Sequence, residues 1–155
     1  MTVIPQAELD QRTEFLAAMP RQLLGYVMVE VRAWKLLDGN PFGSSAALVI
    51  TRYDDAQRGA DGPYQTVVLT RYQNPDGGWD LGDIEHGHNT LDAARFVARE
   101  RAEVERMYLL LCEWYRHCDN YADGAVAHSI LGKVPTCNRC AAKHSMTLVP
   151  FGAQV

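Results

Sequence analysis

The chain has 155 residues, 47% of them hydrophobic and 22% charged, with a formal net charge of −4 and a pI near 5.7. That length can bury a self-sufficient core, so one domain over 1–155 is expected. The acidic balance argues against nucleic acid as the partner, because phosphate binding relies on a basic surface. No apolar run approaches the roughly 18 residues of a membrane span.

In chain order, the first residues carry Glu8 and Asp10 and lack the basic flank of a signal peptide. A cytoplasmic location is therefore expected, where thiols stay reduced. Gln6 to Met19 reads as a short helix stopped by Pro20, with Leu9, Phe15, Leu16 and Met19 as its apolar stripe. Tyr26 to Trp34 alternates and predicts a half-buried strand, with Val27, Val29, Val31 and Ala33 on one face. A turn at Asp38-Gly39-Asn40-Pro41 breaks it. Ala47 to Tyr53 and Thr66 to Tyr72 echo one another, both closing in Thr-Arg-Tyr after an aliphatic run. They predict two further strands of an antiparallel meander. After a turn at Asn74-Pro75-Asp76-Gly77-Gly78, Trp79 to Ile84 is a candidate short fourth strand.

A long helix is expected from Asn89 or Thr90, capped by Asn89 with Asp92, to about Cys118. Val97, Val104, Tyr108, Leu111, Tyr115 and Cys118 recur along it at helical spacing. Ala122 to Leu131 can form another helix closed by Gly132. Pro135-Thr136 then opens a turn or helix carrying Cys137 and Cys140, and Met146 to Phe151 can close as a strand. The expected class is α+β: an N-terminal helix, a three- to four-stranded antiparallel meander and a long helix over 1–118. A small Cys/His subregion occupies 119–155.

All four cysteines, Cys112, Cys118, Cys137 and Cys140, lie in the last third. Zinc takes four thiolate or imidazole ligands in a tetrahedron, and a Cys-x-x-Cys turn supplies two. Cys137 and Cys140 fit such a turn, and His144 stands one helical turn beyond. The end of the long helix would supply the fourth ligand, Cys118, with His117 and Cys112 behind it. The expected metal ligands are therefore Cys118, Cys137, Cys140 and His144, holding a structural zinc. Cys112 reads as core, because its six-residue spacing from Cys118 does not fit one helix face. Buried thiols without metal, and a redox Cys-x-x-Cys, are the competing readings. The spacing matches no ferredoxin run.

Trp79-Asp80-Leu81-Gly82-Asp83-Ile84-Glu85-His86-Gly87-His88, with Ala93-Ala94 and Arg99-Glu100 beyond, resembles in outline part of a Nudix hydrolase. The likeness covers about 30 residues. It implies a metal-dependent nucleotide hydrolase using Glu85 and Glu103. The family's Pro-Gly-Gly is missing, however, and His88 stands at its second glutamate. Asp80, Asp83, Glu85 and His86 form a possible hard-cation group, or carboxylates that complement a helix N-terminus. The order helix, three strands, helix is similar to that of double-stranded RNA-binding domains, which would imply a nucleic-acid module.

With no Ser-His-Asp set, phosphate loop or dinucleotide glycines in view, the leading expectation is a small interaction or regulatory protein rather than an enzyme. It would bind another protein or itself, through aromatics such as Trp34, Tyr53, Tyr72 and Trp79. Its compact, motif-poor character would suit a viral or mobile-element accessory protein.

Overall fold

The computed structural model describes residues 6–37, 45–55, 62–71, 78–114 and 118–151. The expected turns at 38–41 and 74–77, with Tyr72, Tyr115 and His117, lie outside them.

Helix α1 (Gln6–Ala18) leads into a sheet of β1 (Gln22–Leu23), β2 (Tyr26–Leu36), β3 (Ser45–Tyr53), β4 (Tyr64–Arg71) and β5 (Trp79–His88), in that spatial order. Every pairing is antiparallel, as the meander predicts. The two echoing segments are neighbours, with Val49 opposite Val67 and Thr51 opposite Gln65. Beyond β5 come α2 (Leu91–Val104) and the short β6 (Tyr108–Leu109), which returns to pair with the far end of β2. A second sheet follows. It consists of β7 (Gly124–His128), β8 (Gly132–Thr136) and β9 (Val149–Pro150) in the order β8-β7-β9, with α3 (Asn138–Lys143) between its last two strands. The α+β class and the antiparallel sheet are as expected, but there are more strands than three or four: six in the first sheet and three in the second among the described residues.

The first sheet is covered on both faces. Phe15 and Leu16 of α1, with Met19 just beyond it, pack with Trp34, Ala47, Val49, Val67 and Leu69 on one side. On the other, Ala94, Ala98 and Ala102 of α2 pack with Ala33, Ala46, Leu48 and Ile50. β3 is consequently buried from Ser45 to Thr51, the continuous apolar run of a central strand rather than an alternating one. The buried stripe of α2 is alanine every fourth residue, and Val104 is 83% exposed. Small side chains let this helix lie close on the sheet. Two register shifts in β2 break the expected alternation, because each bulge turns the following residues over. Val31 therefore joins the α1 core and Ala33 the α2 core. Trp34, expected at the surface, is fully buried, and Trp79 stacks edge-on against Phe15 at 5.1 Å.

Two helix expectations are corrected. The long helix stops at Val104, fourteen residues in, instead of running to Cys118. Arg106 takes a left-handed backbone, φ 54°, and its N–H bonds Glu103 O while the Met107 N–H bonds Ala102 O. This is the paired-bond stop that satisfies the last carbonyls of a helix. Beyond it, Tyr108 and Leu109 hydrogen-bond as a strand because the rim of β2 is free there, and the Leu110 N–H reaches Arg32 O at 2.9 Å. The helix start also shifts: Thr90, not Asn89, is the cap, its hydroxyl accepting from the Ala93 N–H at 3.1 Å. The helix expected over 122–131 is instead the β7–β8 hairpin. Its turn is held by His128 Nδ1, which accepts from the N–H groups of both Ile130 and Leu131 at 3.1 Å. Among the described residues no helix is long and apolar enough to cross a membrane.

Candidate metal centre

The site is built where the segment after β6 meets the second sheet. Leu111 bridges Tyr121, the Cys112 N–H bonds Asn120 O at 2.8 Å, and the Ala122 N–H bonds Leu110 O at 2.9 Å. The chain thus leaves Cys112, loops, and comes back antiparallel beside itself, which returns Cys118 to the neighbourhood of Cys112. The Glu113 N–H bonds Pro135 O at 2.8 Å, tying this loop to the end of β8. Cys137 is the next residue but one, and it caps α3, its sulfur accepting from the Cys140 N–H at 3.4 Å. Asp123 fixes the same end of α3 by accepting from the Asn138 N–H at 2.7 Å.

These connections bring all four cysteines together. The sulfurs of Cys112, Cys118, Cys137 and Cys140 lie within 4.8 Å of one another, and Cys118 Sγ is 3.8 Å from both Cys137 Sγ and Cys140 Sγ. All four thiols are free, and the spacing is far longer than the roughly 2.05 Å of a disulfide. The two 3.8 Å distances match the edge that a thiolate tetrahedron would have, since bonds of about 2.3 Å to a central ion put sulfurs about 3.8 Å apart. Cys112, Cys137 and Cys140 are buried and Cys118 is half-buried. The group can hold a metal ion. Among the described residues no other set of three or more His, Cys, Asp or Glu could do so.

Of the four ligands expected from sequence, Cys118, Cys137 and Cys140 belong to the group and His144 does not. α3 ends at Lys143, so His144 is its exposed C-cap, with the chain turning away through Ser145 at φ 52°. The fourth sulfur is that of Cys112, which sequence reasoning assigned to the core. The six-residue spacing that excluded it applies to a continuous helix, and there is no helix there.

The surroundings prepare these sulfurs for negative charge unequally. Burial works to raise the Cys137 thiol, but hydrogen bonds from the Cys140 amide and the Asn120 side chain, at 3.4 and 3.7 Å, outweigh it and bring its pKa down to about 7. Burial raises Cys140 to about 12, reinforced by its contacts with the other three thiols. Burial also raises Cys112, against amide hydrogen bonds from Cys137 and Trp114. Without an ion, then, burial holds Cys112 and Cys140 toward the neutral thiol. Four thiolates in this space require a cation.

The acidic segment of β5 is arranged differently. Asp83 and Glu85 both pair with Arg101 of α2, at 3.2 and 3.3 Å, and His86 Nδ1 meets Tyr53 Oη at 2.7 Å. These carboxylates knit α2 to the sheet edge. No protein-family model, curated protein or solved structure matches the chain.

Proposed function

We propose that the protein is a zinc-clasped binding module: one zinc ion on Cys112, Cys118, Cys137 and Cys140 locks the second sheet to the body, and the locked surface binds another protein. The observation that carries the metal is the sulfur spacing. Four protein thiolates at the corners of a tetrahedron leave no position for water or substrate, which is the arrangement of a structural zinc and not a catalytic one. Zinc suits the donors because thiolate is a soft ligand and a tetrahedron imposes no cost on this ion. The clasp joins segments from three places in the chain: the strand after α2, the returning loop, and the cap of α3.

The binding role is supported by what the clasp holds out. Ile130 and Leu131, 85% and 70% exposed, stand at the tip of the β7–β8 hairpin. Large aliphatic side chains side by side in water are a common mark of a contact surface. Affinity capture from a host lysate with the natural chain and with Ile130→Glu/Leu131→Glu tests this role. Specific proteins retained by the first and lost by the second support it. An identical set from both, or no specific partner, counts against it. The zinc content of the two proteins should be the same.

A further inference from the structure

The four sulfurs of the cysteine group differ in what reaches them. Cys112, Cys137 and Cys140 are 5%, 2% and 9% exposed, while Cys118 is half-buried. The three buried cysteines are also the ones whose backbone is fixed. The Cys112 N–H bonds Asn120 O, and the carbonyls of Cys137 and Cys140 each accept a backbone N–H at 3.1 Å along α3 and its cap. Cys118 makes no backbone hydrogen bond among the described residues. It stands in the loop between Cys112 and Asn120, with its sulfur 3.8 Å from both Cys137 Sγ and Cys140 Sγ. Closing either gap to a disulfide takes a movement of about 1.8 Å. Cysteine oxidation follows thiolate character and access. A bound zinc gives the first to all four sulfurs, and the fold gives the second to Cys118.

We propose that the centre is a peroxide-sensitive switch that opens at Cys118, a role that rests on zinc being held by the four cysteines. The Cys118 thiolate attacks hydrogen peroxide: an S–O bond forms, the O–O bond breaks and hydroxide leaves. The thiolate of Cys137 or Cys140 then attacks the Cys118 sulfur, forming the S–S bond, breaking the new S–O bond and releasing a second hydroxide. The two thiolates lose two electrons, peroxide gains them, and the hydroxides take up two protons to become water. The zinc ion keeps two ligands of its four. At about two orders of magnitude per thiolate, its affinity falls roughly ten-thousandfold. The clasp opens, and exchange with a reducing thiol followed by zinc closes it again.

The test uses the full chain, with its zinc content measured before oxidation. Hydrogen peroxide is then added and zinc release is followed with a chromogenic chelator. The cysteines are mapped by mass spectrometry under non-reducing conditions, with a sulfenate trap at early times. One zinc should leave per chain together with one disulfide, and that disulfide should join Cys118 to Cys137 or Cys140. The trap should mark Cys118 before the other three. Zinc-loaded protein that keeps its ion and four free thiols under peroxide would overturn the switch and leave the zinc clasp standing. A first disulfide that omits Cys118, or zinc lost without a disulfide, would overturn it too. Protein without zinc at the outset removes the clasp, and the switch with it.

Discussion

Replacing Cys112 by alanine separates the four-sulfur centre from the ligand set that includes His144. Cys112 is 5% exposed, and its backbone is pinned by the bonds to Asn120 O and from Glu113 to Pro135 O. Structural zinc sites are worth about 10–16 kcal/mol in apparent binding free energy at neutral pH. Shared over four thiolates, that is about 3 kcal/mol each, or a loss of roughly two orders of magnitude in affinity. Zinc competition against a chromogenic chelator should show this loss for Cys112→Ala and essentially none for His144→Ala. Thermal unfolding should rank the variants the same way in zinc, and the gap should narrow in excess chelator, because an ion that binds only the folded chain stabilises it by mass action. A His144→Ala protein that loses zinc as readily as Cys112→Ala would refute the reasoning.

Further outcomes follow from the same contacts. Glu113→Gln leaves the buried Arg12 charge without its carboxylate, and should cost about 1–2 kcal/mol in urea unfolding. An unchanged midpoint would mean that solvent already serves Arg12. Arg106→Gly removes the steric penalty of a left-handed side-chain-bearing residue at the end of α2, and should stabilise by about 0.5–1 kcal/mol in the same assay. Loss of stability would mean that the arginine makes a favourable contact there. Zinc affinity should fall as pH falls, since the raised thiols of Cys112 and Cys140 must each release a proton to ligate, and Cys137, near pKa 7, part of one. The logarithm of the affinity should change by about 2–4 per pH unit around neutrality. A flat profile would contradict thiolate ligation.

The body of the fold was legible where local pattern and tertiary context agree. α1, β2, β3 and β4 lie within a few residues of their expected positions because Pro20 and β-branched runs specify them locally. Met107-Tyr108-Leu109-Leu110-Leu111 was not legible. A run apolar on all sides satisfies a buried helix and a buried strand equally. The decision falls to the free rim of β2, some 75 residues away in sequence. Ala122 to Leu131 misled through its alanines. The alternation in Gly124-Ala125-Val126-Ala127-His128 and the Gly132 backbone, φ 76°, are the signals that favoured a hairpin. Gly124 itself is required, since a Cβ there would meet Val149 O at 2.3 Å. The helix error carried into the site. With Cys112 and Cys118 on one helix they cannot share an ion, and His144 fills the vacancy. Once the chain breaks at Arg106 and returns through Asn120, the two cysteines meet.

The most direct test of the clasp is elemental analysis together with native mass spectrometry on protein purified without chelator. One zinc per chain is predicted, retained in the native ion and lost on acidification. Protein that is folded at its metal-free mass, with all four thiols present and no bound ion, would contradict it.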